Sequence, residues 1–364
     1  MHPLTGSDFG TLTSVLADSG GIPAGSLGSV AGLLGAVIGR TPFTLAEKAY
    51  TRSQLAKAGS MPPPVFIVGH WRSGTTHLYN LMVQDDFGFV PPVATGLPWD
   101  MLLLGRALKP VIDRALPETR YIDNIPVRPD SPQEDEIALA NMSPLSFYHG
   151  IYFPQAFDHF VDRGLFFDGC TDEEISQWQE TFTYFMEKLW LQQGRKRLLI
   201  KNPVYTSRVE MLHKLYPDAL FIHIRRNPYE VFESMKNFYA KLFRQLALQP
   251  YDHVDIEEAV LSVYERIMGL IDAQWPAIPE AQRVEIAYEN LDRAPLQELE
   301  RVYASLGLPG FDTVRPRFEA YLKSVEGFEK NRFDYSDRSA QLVESRLGDY
   351  LARGGYQRPG SKVA

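Results

Sequence analysis

The stretch "VFIVGHWRSGTTHLYNLM", Val65 to Met82, restricts the fold more than any other part of the chain. Val65, Phe66, Ile67 and Val68 form a continuous apolar, largely β-branched run of the kind buried in a parallel sheet. Gly69 and Gly74 follow, and then "THLYNLMVQD" resumes helical spacing with Leu78, Leu81 and Met82 on one face. A buried strand, a glycine loop and a helix make an anion cradle. Backbone N–H groups from Arg72 through Thr76 can converge there at a helix N-terminus. The spacing approaches the phosphate loop G-x-x-x-x-G-K-[ST], but Thr75 stands where that loop has lysine. The strong cation is Arg72, inside the loop. The loop therefore lacks the reader of β- and γ-phosphates and suits a shorter anion.

The same alternation recurs downstream. "RLLIK", "ALFIHI" and "RVEIAY" read as strands, "SRVEMLHKLY" and "PYEVFESMKNFYAKLF" as helices, and a further helix starts near Pro295. This predicts an α/β, P-loop-like three-layer fold with a central parallel sheet and an N-terminal helical extension. The expected organisation is residues 1–60 as that extension, 61–355 as the main domain with 90–190 as an insertion on the acceptor side, and 356–364 as a tail. Three prolines at "SMPPP" mark the first boundary. Within the extension, "GSLGSVAGLLGAVIGR" reads as a docking helix with too few consecutive apolar residues to span a bilayer. Peripheral membrane contact is the alternative reading of that segment.

Over 364 residues the formal net charge is -8, which argues against nucleic acid as a partner. Basic clusters are therefore read as sites for small anions. The single cysteine, Cys170, excludes an intrachain disulfide, and a reducing, cytoplasmic compartment fits. No histidine or acidic residue shows metal-ligand spacing, so no metal is expected.

In "LFIHIRRNPYEVFESMKNF", two arginines follow a strand at its carboxyl end, where open α/β sheets bind ligands. Asn227 suits a helix N-cap and Pro228 a first helical residue, which would hold Arg226 at a corner with Ser234 in the helix beyond. A guanidinium and a hydroxyl there could clasp a second phosphate. Two separate anion sites imply a ligand with two separated anionic groups.

These residues resemble the sulfotransferases that use 3′-phosphoadenosine 5′-phosphosulfate, in particular the bacterial-type branch with an R-S-G-T-T loop. "HWRSGTT" is similar to the family's 5′-phosphosulfate loop, "RRNPYEVFES" to its 3′-phosphate element, and "EIAYENL" to its strand-end Y-E-x-L. The resemblance implies transfer of a sulfuryl group to a hydroxyl or amine of a small-molecule, lipid or carbohydrate acceptor. It implies that Arg72 stabilises the leaving phosphate, that Ser73, Gly74, Thr75 and Thr76 cradle the 5′-phosphate, and that Arg226 and Ser234 hold the 3′-phosphate. Lys201, at a strand end, is expected to help hold the sulfonate. For the general base, the candidates are Glu134 in "SPQEDEIAL" and His149, with His77 behind them. Lys330 and Arg332 are candidates for a basic closing loop. A P-loop kinase or NTPase, and a non-catalytic nucleotide-binding protein, are the competing readings. The acceptor and the oligomeric state are not legible in the sequence.

Overall fold

The computed structural model describes residues 2–115, 128–327 and 336–359. Lys330 and Arg332 lie outside the described residues. The elements that position the site begin with α1 (Phe9–Asp18), α2 (Leu27–Leu55), β1 (Val65–Val68) and α3 (Thr75–Met82). Next come α4 (Leu104–Ala107), α5 (Lys109–Ala115), α6 (Glu136–Leu139), α7 (Asp172–Gln192) and β2 (Leu199–Lys201). The rest are α8 (Val209–Leu215), β3 (Leu220–Arg225), α9 (Pro228–Leu246), α10 (Ile256–Gln274), β4 (Arg283–Ala287), α11 (Tyr288–Arg293), α12 (Pro295–Ser305) and α13 (Asp337–Gly354).

The strands form one sheet in the order β2-β1-β3-β4. β1 pairs in parallel with β3, and β3 in parallel with β4, so Val68 lies beside His223 and Arg225 beside Ala287. Each strand lies within two residues of its predicted position. β1 is buried at all four residues, as its unbroken apolar run requires.

The chain divides into two compact units. The first comprises Met1–Pro63, Asp86–Ile200 and Leu242–Val254, and the second Pro64–Asp85, Lys201–Lys241 and Asp255–Ala364. Residues 1–60, read from the sequence as an N-terminal extension, share a compact unit with 86–200. Ion pairs explain this. On α2, Arg40 pairs with Asp100, which also accepts from Thr44 Oγ1 at 2.7 Å. One turn on, Glu47 meets Lys188 of α7 at 2.6 Å, with both side chains fully buried. Lys188 Nζ also donates to the carbonyls of Pro98 and Trp99 at 2.7 and 2.6 Å, while Glu47 accepts from the N–H groups of Leu102 and Leu103 at 2.8 and 2.9 Å. α7 itself starts on a capping box between Thr171 and Glu174.

The helix that carries the apolar N-terminal segment runs on to Leu55, and by length and composition alone Ala24–Leu55 is long and apolar enough to cross a bilayer.

The second unit builds its core on β1, β3 and β4. α10, capped by Asp255 accepting from the Glu258 N–H at 3.1 Å, buries Val260, Val263, Tyr264 and Ile267 along one face. Two residues of the segment read as a tail make hydrogen bonds in this unit. Tyr356 Oη accepts from Arg225 Nη1 at 2.9 Å, and the Gln357 carbonyl accepts from Asn227 Nδ2 at 2.9 Å.

Candidate active site

In the second unit, the loop between β1 and α3 turns through three left-handed residues: Gly69 at φ 144°, Arg72 at φ 67° and Gly74 at φ 97°. Gly69 has no room for a side chain, since a Cβ there would sit 2.3 Å from the Ile224 carbonyl oxygen. At Gly74 a Cβ would strike the ring of Tyr288 at 2.2 Å. The missing side chain lets Tyr288, at the start of α11, pack directly on the loop. Arg72 is the unusual member, because a long side chain adopts this region only at a cost of about 1–3 kcal/mol. Gly74→Ala should weaken binding of 3′,5′-adenosine bisphosphate at least about tenfold, because both the φ and the Tyr288 contact oppose a Cβ. Unchanged affinity by calorimetry would contradict this.

The strained turn has a visible return. Arg72 Nε donates to Ser234 Oγ of α9 at 2.8 Å, and its carbonyl accepts from Arg226 Nη1 at 3.0 Å. Arg226 also donates through Nε to Glu230 Oε2 at 2.7 Å and stacks its guanidinium 4.3 Å from the centre of the Tyr288 ring. Arg72, Ser234 and Arg226 are thus members of one hydrogen-bonded group that ties the loop to α9 and to the end of β3. One backbone donor also departs from expectation. The Ser73 N–H closes the turn on the His70 carbonyl at 3.1 Å. Its hydroxyl, by contrast, is buried with no hydrogen-bond partner among the described residues. A buried hydroxyl in this state is costly unless something else satisfies it, and it sits in a loop that a side chain would fill.

A lysine from β2 reaches the first turn of α3. Lys201, the last residue of β2 and almost fully buried, donates Nζ to Thr76 Oγ1 at 3.2 Å in the first turn of α3. Next to it, Thr206 Oγ1 accepts the Gly69 N–H at 2.8 Å and fixes the start of the loop. Asn227 caps α9, accepting the Tyr229 N–H at 3.1 Å, and its own N–H donates to Glu289 at 2.9 Å.

Of the base candidates, Glu134 and His149 belong to the first unit and His77 to α3 of the second. Glu134 is half-buried and precedes α6, which opens on Asp135. Glu136 is buried and accepts from Ser146 Oγ at 2.7 Å. His149 is fully buried, with Nε2 2.8 Å from the Ala140 carbonyl and Nδ1 3.0 Å from the Pro144 carbonyl. Burial pulls its pKa down to about 4. A neutral ring so placed turns both nitrogens to the backbone and keeps neither for an acceptor hydroxyl.

Three loop neighbours were not singled out from sequence: Tyr288, Thr206 and His70. His70 is buried beside the Tyr264 ring at 4.7 Å, and burial lowers its pKa to about 4. Tyr288 begins the Y-E-x-L segment and His70 the H-W-R-S-G-T-T loop, and these were their signals. Among the described residues, no three His, Cys, Asp or Glu side chains gather where a metal ion could be held.

A family model described as "Sulfotransferase family" matches residues 63–313, the greater part of the chain. The chain belongs to this family and is a sulfotransferase. It is 29% identical over 317 residues to the omega-hydroxy-beta-dihydromenaquinone-9 sulfotransferase Stf3 of Mycobacterium bovis, covering 86% of this chain and 80% of the relative. Among solved structures, sulfotransferase STF9 from Mycobacterium avium superposes with a TM-score of 0.70 at 16% identity, covering 98% of each chain. Sulfotransferase STF1 from Mycobacterium tuberculosis does so at 0.58 and 17%, covering 93% of this chain and 90% of the other. Both support the predicted α/β fold. The kinase reading, already weakened by Thr75, is not favoured, and the enzyme uses a sulfuryl donor.

Proposed function

We propose that the donor is 3′-phosphoadenosine 5′-phosphosulfate and that the acceptor is a hydroxyl group on a lipid-like small molecule. The observation that carries the donor reading is the single network of Arg72, Ser234 and Arg226 around a glycine loop whose Ser73 hydroxyl is buried and unsatisfied. The bound nucleotide supplies the sulfuryl group. Arg72 and Lys201 would place positive charge where the leaving phosphate gains negative charge, which preorganised donors stabilise best. Ser73, Thr75 and Thr76 would offer hydroxyls to the 5′-phosphate, and Arg226 with Ser234 would hold the 3′-phosphate. Arg226 keeps N–H donors to spare for this, since a guanidinium has five.

The lipid-like acceptor follows the mycobacterial relative, whose name gives a hydroxylated dihydromenaquinone as its substrate. The proton of the acceptor hydroxyl is assigned to Glu134, because both ring nitrogens of His149 face backbone carbonyls. Glu134→Gln should then lower kcat by about 10²–10⁴ while bisphosphate binding stays intact; turnover near that of the wild type would remove Glu134 from this role.

The donor assignment is tested by calorimetry. Arg226→Ala should weaken 3′,5′-adenosine bisphosphate about 10–100-fold and leave 5′-AMP nearly unchanged. If the wild type binds both nucleotides equally, no 3′-phosphate site exists here.

A further inference from the structure

Among the described residues, all nine large apolar side chains that are well exposed fall between Phe9 and Val111, in the first unit. Five lie on α2. Of these, Leu27, Ile38 and Leu45 follow one another by about three and then two helical turns, which puts them on one side of the helix. The charged residues of α2 between Leu27 and Tyr50 do not interrupt that side. Arg40 pairs with Asp100, Glu47 with Lys188 and Lys48 with Asp8, all within the unit.

The other exposed apolar group, Leu103, Leu108 and Val111, lies on and beside α4 and α5. These two regions share a cavity of about 490 Å³, a size in the range that takes a small molecule. Tyr50 and Gln54 of α2 line it together with Leu102, Arg106, Lys109 and Ile112. Exposed residues Leu103, Leu108 and Val111 alternate in sequence with those lining residues, so an apolar rim borders an amphiphilic cavity. Charge singles out the same place. Residues 50–57 and 103–114 hold Arg52, Lys57, Arg106, Lys109 and Arg114 against Asp113 alone, in a chain whose net charge is -8. Asp113 is spent on Lys109 at 2.6 Å.

We propose that the first unit docks peripherally on an anionic lipid bilayer through α2, α4 and α5, with the cavity receiving an apolar chain from that bilayer. Exposed apolar side chains enter the interface while the local cations meet the lipid headgroups, a pairing neither feature achieves alone. A soluble apolar partner would not require the cations. A second copy of this chain would bring the same cations against each other. The docking stands on surface chemistry; only the identity of the chain taken up rests on the lipid-acceptor reading.

The test is flotation of the full chain with vesicles of phosphatidylcholine alone or with phosphatidylglycerol. The chain should float with the anionic vesicles and release at high salt. Arg106→Gln with Arg114→Gln should weaken partition roughly twenty-five-fold, from about fivefold per cation. Ile38→Asp, Leu45→Asp and Val111→Asp combined should abolish it. All of these variants should melt as the wild type does, which certifies the fold of the first unit, and should bind 3′,5′-adenosine bisphosphate as it does. Loss of nucleotide binding in the wild type would instead fault the donor reading and leave docking standing. The proposal is overturned if the wild type ignores anionic vesicles or if the variants partition unchanged. It is equally overturned if sedimentation shows a dimer that the apolar variants dissolve without any vesicle binding. Partition that survives high salt and an alkaline wash would mean insertion by α2 and would also overturn it.

Discussion

Arg72→Ala should reduce turnover by about three orders of magnitude, or ~4 kcal/mol of transition-state stabilisation, while the fold survives. The guanidinium is the cation inside the loop, and Ser234 holds it through Nε at 2.8 Å. Arg72→Lys should not rescue the loss, since an ammonium has neither the planar fork nor that Nε–H. Thermal stability should move by only a few degrees. Removing the side chain forfeits the hydrogen bond to Ser234, and Arg72→Gly would also relieve a left-handed φ of 67°. Transfer assayed with labelled donor, beside a melting curve, separates the two effects. More than about a tenth of wild-type turnover in the alanine variant would sink the role given to Arg72.

The second large effect concerns stability. Lys188→Met should cost about 3–5 kcal/mol, because it strands the fully buried Glu47 carboxylate. Replacing both partners by apolar residues should not restore the loss. The pair also satisfies the carbonyls of Pro98 and Trp99 and the N–H groups of Leu102 and Leu103, each of which would then be orphaned. The lysine adds a pH signature. Burial lowers its pKa to about 8, whereas in the unfolded chain it keeps its proton to about 10.5. Between those values the unfolded state binds more protons, so this group's contribution to stability rises as pH rises from about 8. Urea unfolding at pH 8 and 9.5 should show that rise in the wild type and not in Lys188→Met. Identical pH slopes would mean that Lys188 is not titrating there.

The donor side of the fold was legible because its elements are local. An apolar run bounded by glycine gave β1, and Asn227 before Pro228 gave the start of α9. Lys201 was flagged at a strand end, but its meeting with Thr76 depends on sheet order, which no local pattern encodes. Tyr288 against Gly74 and Arg226 is of the same kind, a contact made only once β4 is placed beside β3. The packing of the N-terminal region was not legible for a related reason. Arg40 and Glu47 look like surface charges that end an apolar stretch, yet both are paired with partners 60 or more residues away. A long-range ion pair leaves no periodicity to read.

The left-handed turn at Arg72 sets two selective pressures against each other at one codon. Conformation favours glycine or asparagine there, and chemistry favours arginine. A library randomised at this position and sorted for folded, protease-resistant protein should drift toward glycine. The same library sorted for sulfuryl transfer should return arginine. The residue found at this position in a variant population therefore records whether turnover was being selected at all.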